Sequence, residues 1–428
     1  MKNKMEKNIM KNWEYKMKRN VALMIILSLA LFTMSCDSES NPSIWDKNDA
    51  GEPAPTITSV NPPSQQYGGV GSRKLITITG TNFNSDIDKN FVYFGTKKGD
   101  VIEASATELK VAAPANYGSG LKVQVHTQGA YLPAIYGGED TPTPYEIISA
   151  ETKIGFYDKY RIPEGICVDA EGNVFITVGA NVDKVFPDGT IKQNCLVLKA
   201  KSTSNIKVGP DGALYYTYLK YILKTDTTSG AHTYKSIGFS TVDLDFDSNK
   251  NLWIVGANEI AVANYSDLVT TTVQTFNDTT FKSCRVYNNE LYMIGKYVGT
   301  DTTISKSPFL CKVGLNSDGT FSGSLQSIRD FGDAGYDNIN ISGMNITADG
   351  KLYISTINYS LLEVNNDMAT GDLTLVYPAI LGDHVAYRFA WGTGEEIYIN
   401  TKNDNDDTKI SILKIMLFEE GAPDFGRN

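Results

Sequence analysis

A short pattern recurs six times in this chain and leaves few folds open to it. Residues 162–177 read as a brief apolar run, a tight polar turn and a second apolar run that carries an aromatic residue. The pattern returns at 207–215, 245–253, 286–292, 346–353 and 391–398. Its anchoring aromatics are Phe175, Tyr215, Trp253, Tyr292, Tyr353 and Tyr398, spaced by 40, 38, 39, 61 and 45 residues. Apolar runs joined by turns such as Asp169-Ala-Glu-Gly172 are hairpins, and such a repeat leaves room for two more strands per unit. One four-stranded blade cannot bury both its faces, whereas blades stacked around an axis can, leaving only short edges. The expected fold class is therefore all-β, with a six-bladed β-propeller over residues 149–428.

The sixth unit has strands before Trp391, at 396–400 and at 410–416, and residues 421–428 make a poor strand. Its missing outer strand is expected from residues 153–157, which would tie the two ends of the ring together. The extra length between the fourth and fifth units falls at 296–307 and 327–340, and the sixth unit carries a long acidic loop at 401–407. These connections open on one face, whereas the turns on the other face are short. Insertions confined to one face point to the binding face of a repeat protein. Cys167 and Cys284 each lie eight residues before their aromatic, and are expected in equivalent slots. Together with Cys195 and Cys311 they are expected to be thiols, because a bridge within one blade would have to skip strands.

Residues 1–20 are rich in lysine, 21–31 are apolar, and Ser35 stands directly before Cys36. An apolar run of 11 residues suits the core of a signal peptide and is too short to span a bilayer. The segment resembles a bacterial lipoprotein signal, with Thr33 in place of the usual leucine, which implies acylation at Cys36 and an outer-membrane, cell-surface location. Asp37 and Glu39 resemble the export signal of Bacteroidota surface lipoproteins, and 36–53 reads as a flexible acidic tether. Short strands then alternate with Gly and Asn turns over 54–148, as in a β-sandwich. Pro55 and Ile57, 78–83 (Ile-Thr-Gly-Thr-Asn-Phe), Val92, Phe94, Gly95, Val111 and Pro114 make this stretch resemble the IPT/TIG immunoglobulin-like family, which implies a spacer or a protein-binding module. The later repeats resemble NHL-type units, a likeness that speaks for fold and little for function.

A net charge of −10 argues against a nucleic-acid partner. No nucleotide fingerprint, phosphate loop or nucleophile elbow occurs at a strand–helix junction. The propeller contains only two histidines, His232 and His384, so it cannot build a three-histidine zinc site. A calcium cage of the kind used by six-bladed lactonases would draw on Glu164, Asn205 and Asp243 at strand entrances, but Lys282 and Arg388 at matching entrances oppose a divalent ion. No metal or other cofactor is expected. Around these five, Tyr218, Tyr297, Tyr336, Tyr359, His384 and Tyr387 are placed on the same face. Aromatic rings take the C–H faces of sugars, and charged or amide groups take their hydroxyls. The layout of anchor, tether, sandwich and propeller resembles surface glycan-binding lipoproteins of polysaccharide-uptake systems. That resemblance implies a polysaccharide or oligosaccharide ligand and an outer-membrane transporter complex as a partner. A calcium-dependent lactonase or lyase, and a protein-interaction scaffold, are the alternatives.

Overall fold

The computed structural model describes residues 51–428 except 203, 366, 383, 404, 405 and 428, together with all side chains in that span other than those of 402–409 and the excepted residues. The signal segment, Cys36 and residues 36–50 of the tether lie outside the described residues. Among those described, no helix is long and apolar enough to cross a membrane.

The first domain has nine strands. Their hydrogen-bonded order is Thr56–Asn61, Leu75–Thr81, Glu108–Ala112, Lys97–Ala104, Asn90–Phe94, Gly118–Thr127, Pro144–Ser149 and Gln65–Gly68, with Ala134–Ile135 added beside Gly118–Thr127. Alternate residues point inward, as the period of a half-buried strand requires. Ile76, Ile78, Val92, Phe94, Leu109, Val111, Val123, Val125 and Tyr145 meet in one core. Only Ala150 separates the last strand of this domain from the first strand of the next, so no linker intervenes.

Six four-stranded sheets come next. Blades one to five begin with the inner strands Pro163–Val168, Lys207–Val208, Thr241–Phe246, Thr279–Tyr287 and Ile341–Ile346, and each continues outward through three antiparallel strands. Blade six takes His384–Trp391, Glu396–Asn403 and Asp406–Met416 from the end of the chain and its outer strand, Glu151–Ile154, from the beginning. The closing strand therefore starts two residues earlier than expected. It stops at Ile154 because Gly155 turns with φ +65°, and Tyr157 packs between blades rather than pairing. The strand Phe321–Asp330 likewise absorbs part of what reads in sequence as the long 327–340 loop.

The repeat has a physical origin in each blade. Asp169 accepts the Asn173 N–H at 2.7 Å and Asp247 accepts the Asn251 N–H at 2.9 Å, which closes the tight inner turn. Gly172 sits at φ +81° in that turn, while Lys250 takes the same left-handed region at φ +65° in blade three. Every anchoring aromatic occupies one slot. Phe175, Tyr215, Trp253, Tyr292, Tyr353 and Tyr398 pair across to Cys167, Lys207, Asp245, Arg285, Asn345 and Ala390. Blade four turns on two residues, Asn288 and Asn289, so counting eight residues back from Tyr292 overshoots by one. Arg285, not Cys284, is the equivalent of Cys167.

On the outer side of the same aromatics stands a row of lysines. Lys184, Lys224, Lys312 and Lys414 lie 5.2, 5.5, 5.6 and 5.8 Å from the rings of Phe175, Tyr215, Tyr292 and Tyr398. Blade three has Val262 in that position, opposite Trp253, and blade five has Glu363, which pairs with Tyr353. There the cation comes from the first domain. Arg73 lies 5.9 Å from the Tyr353 ring and 5.5 Å from that of Tyr377, and it forms ion pairs with Glu363 and, at 2.9 Å, with Glu419. Val70 joins the same apolar cluster, and Tyr67 packs edge-on to Phe418 at 5.1 Å. Arg73→Ala is expected to cost about 2–3 kcal/mol and to split thermal unfolding into two transitions. Lys351 of the same blade lies 3.1 Å from Glu363 and keeps that carboxylate paired, so blade five should retain its own transition after the docking is lost, which calorimetry of the variant will show.

The four propeller cysteines are free thiols. Burial pushes the thiols of Cys167 and Cys284 well up and that of Cys311 to about 12, so all three are inert, while Cys195 is half-buried on an outer strand.

Candidate ligand-binding site

Inner-strand residues alternate between the two neighbouring blades, as Ile166 and Val168 pack on blade six and Cys167 on blade two, so equivalent positions form layers around the ring. The lower layer is Cys167, Lys207, Asp245, Arg285, Asn345 and Ala390. Asp245 is fully buried between two cations, 2.9 Å from Lys207 Nζ and 2.6 Å from Arg285 Nη1. Arg285 Nε donates to Asn345 at 2.9 Å, and its Nη2 donates to the carbonyls of Ala422 and Pro423 at 3.1 and 3.0 Å. Those carbonyls belong to residues 419–427, which cross beneath the ring. Ala422 N–H donates to Ile346 at 2.9 Å, Phe425 packs into blades two to four, and Arg427 donates to the Trp391 and Gly392 carbonyls at 3.2 and 3.1 Å. The segment that reads as a poor strand is a floor.

One layer up stand Gly165, Asn205, Asp243, Ser283, Gly343 and Arg388. Lys282 does not belong to this layer, again because the blade-four turn is short. It sits on a bulge and is exposed. Glu164, Tyr387 and Arg388 also sit where the register slips, and such bulges turn side chains out of the regular alternation. Asn205 and Asp243 serve the frame. Asn205 accepts the Ile166 N–H at 2.9 Å, and Asp243 accepts Ser283 Oγ at 2.8 Å and the Cys284 N–H at 3.1 Å. Burial lowers the pKa of Arg388, and the charges of Asp243 and Glu164 oppose that shift. A guanidinium thus already supplies positive charge to the two carboxylates that a metal cage would use. Among the described residues, no group of three or more His, Cys, Asp or Glu could hold a metal ion.

Above this layer lies a cavity of 470 Å³ between blades six, one and two. It is lined by Lys159, Ile162, Pro163, Glu164, Ser202, Ser204, Tyr387, Arg388, Asn400 and Ile410. It brings together Glu164, Arg388 and Tyr387 from the sequence-derived set. Lys201 Nζ lies 3.3 Å from Glu164 and fixes that carboxylate at the wall. Asn400 is buried and donates to the Pro163 carbonyl, holding blade six to blade one.

The remaining candidates stand elsewhere. Tyr218 is half-buried in the packing between blades one and two. Tyr297 accepts the Asp301 N–H at 3.2 Å and shapes its own loop. Tyr336 and Tyr359 form an edge-on pair at 5.4 Å, with Tyr359 exposed. His384 opens its strand, half-buried. The long loops of blade four lie across the ring from the cavity. Sequence reasoning missed Lys159, Ile162, Pro163, Ser202, Ser204, Asn400 and Ile410. Residue 159 falls just past the expected closing strand, and the others look like ordinary strand and loop positions until the blades are stacked.

The family model of the IPT/TIG domain matches residues 55–143. The first domain is an IPT/TIG domain. No curated protein matches the chain. Among solved structures, a protein of unknown function from Bacteroides thetaiotaomicron is 16% identical, covering 87% of this chain and 99% of its own, with a TM-score of 0.40. An auxiliary nutrient binding protein from the same organism is 11% identical over 87% of this chain and 98% of its own, with a TM-score of 0.47. The virginiamycin B lyase of Staphylococcus aureus is 14% identical over 71% of this chain and 96% of its own, with a TM-score of 0.44. Identities this low transfer neither a residue nor an activity.

Proposed function

We propose that the propeller binds a glycan at the cavity between blades six, one and two, and that the IPT/TIG domain holds it at a fixed angle as a spacer. The observation that carries this reading is the lining itself. Ile162, Pro163, Tyr387 and Ile410 offer apolar faces, while Glu164, Arg388 and Lys159 offer hydrogen-bonding groups; Ser202 and Ser204 are buried in the wall, their hydroxyls donating to the Ser204 and Asn205 carbonyls at 2.7 and 2.6 Å. Sugars present the same alternation of C–H faces and hydroxyls. Among the described lining residues Glu164 is the single carboxylate, whereas glycoside hydrolysis ordinarily uses a pair, which favours binding over hydrolysis. The proposal extends to the cell surface: acylation at Cys36 would anchor the chain to the outer membrane, and the captured glycan would pass to a transporter there.

Isothermal titration against a panel of polysaccharides tests the reading. Binding is expected in the micromolar to millimolar range, with Arg388→Ala and Glu164→Gln each weakening it about ten-fold or more. Binding unchanged in both variants would move the site. No binding to any glycan, together with calcium-dependent ester hydrolysis, would favour a lactonase instead.

A further inference from the structure

The loop that enters blade one carries two of the most exposed aromatic side chains in the described residues. Phe156 is 88% and Tyr160 is 82% exposed. Exposure of this kind costs solubility and gains nothing in packing. The loop is nonetheless tightly held. Asp158 Oδ1 accepts the N–H groups of Tyr160 and Arg161 at 2.8 and 3.0 Å, which closes a small turn. Arg161 Nη2 lies 2.7 Å from Asp183 Oδ2, and the Tyr157 hydroxyl donates to the same oxygen at 3.2 Å. Asp183 is buried, so both residues flanking the turn are fastened to the body of blade one. Tyr157 and Arg161 point in, while Phe156 and Tyr160 point out. The backbone that displays the two rings is fixed before any ligand arrives, and a pre-organised ring loses little freedom on stacking.

The same loop reaches the cavity, because Lys159 and Ile162 line it. Lys159 Nζ also lies 5.0 Å from the Tyr160 ring centroid. The Tyr160 ring therefore stands beside the cavity lining, and Phe156 is displayed four residues earlier on the same loop. Five other exposed apolar residues of the propeller, Leu219, Val298, Ile304, Ile357 and Tyr359, stand at the tips of hairpins on the same face, while Val197 and Tyr234 lie on outer strands. None of those five shares a loop with the cavity.

We infer that Phe156 and Tyr160 form an outer stacking subsite for a glycan chain whose next units occupy the cavity, so that the ligand is a segment of a polysaccharide and not a free mono- or disaccharide. The inference rests on the proposed glycan reading and adds chain length to it. Flat sugar faces stack on such rings with no directional hydrogen bonds, which suits successive units of a polymer.

The test is a length series on the full chain. Oligosaccharides of two to eight units from xylan, mannan, β-1,3-glucan and galactan are titrated into the wild type, Tyr160→Ala, Phe156→Ala and Arg388→Ala. Affinity of the wild type is expected to rise with length and then level off. Tyr160→Ala and Phe156→Ala should each lose about ten-fold on the longest chains and nothing on the shortest that bind. Arg388→Ala should lose at every length. Equal loss at all lengths in the aromatic variants, or no loss on long chains, overturns the outer subsite while leaving the cavity reading intact. No binding by the wild type at any length overturns the glycan reading, and this inference with it. Both aromatic side chains are exposed, so their removal leaves folding unchanged, and an unaltered melting temperature checks that.

Discussion

Replacing Asp245 with Asn is expected to lower the melting temperature by roughly 10 °C at neutral pH. The carboxylate lies fully buried between Lys207 and Arg285, and it also accepts the Val286 N–H at 2.8 Å. Breaking a buried ion network by removing one partner typically costs about 3–5 kcal/mol, because the remaining charges stay buried without their counter-charge. Burial alone would raise the pKa of Asp245, but Arg285 and Lys207, with help from the Val286 N–H, hold it below the ordinary aspartate value. A group depressed in the folded state contributes stability above its unfolded pKa and loses it as pH falls through the folded one. The gap between wild type and variant should therefore be constant from pH 6 to 8, begin to narrow near pH 4 and close only as the pH falls through the lower folded-state value. Thermal melts across that range check it. A gap that persists undiminished at low pH would mean that the lost packing, not the charge, mattered.

The second large effect is expected at the seam of the ring. Glu151–Ile154 pairs with 412–415 and joins the first strand of the propeller to the last. Neighbouring residues of a strand alternate in which side their N–H faces. Prolines at both Thr152 and Lys153 therefore remove a ladder donor whichever of the two faces the partner. The double variant is expected to lose about 2–4 kcal/mol and to expose the Asp406–Met416 strand as a free edge. Calorimetry should show a lower and broader transition, and size-exclusion chromatography a growing aggregate. A sharp transition at the wild-type temperature would show that the tail beneath the ring closes it without the seam.

The fold was largely legible because blade chemistry is local. Asp169 and Asn173 signal a turn wherever they occur, and the anchoring aromatics mark strands by their spacing alone. Register was legible only where turn length was constant. The two-residue turn at Asn288 and Asn289 shifted blade four by one position, which misplaced Cys284 and Lys282 together. The docking of the first domain also left a trace. Lysine stands outside the aromatic in four blades and Val262 in blade three, and blade five alone puts a carboxylate, Glu363, there, where Arg73 arrives. The site was less legible. Tyr387, Arg388 and Glu164 could be placed because strand entrances near an axis are few. Phe156 and Tyr160 could not, because burial decides whether an aromatic is core or platform. Tyr157, between them in sequence, is core.

The seam has a consequence for how the molecule is made. Blade six borrows residues 151–154, so no closed ring exists until the chain is complete to Met416. At ordinary synthesis rates that is roughly 10–50 s after residue 154 has emerged. The IPT/TIG domain is complete at Ser149 and can finish long before this. One residue beyond its last strand it carries the strand that will accept the sixth blade, and its Arg73 reaches Glu419, just past that blade. The first domain is thus the early-folding clamp on which the last-made part of the chain lands, and its order in the gene fixes the order in which the ring can close.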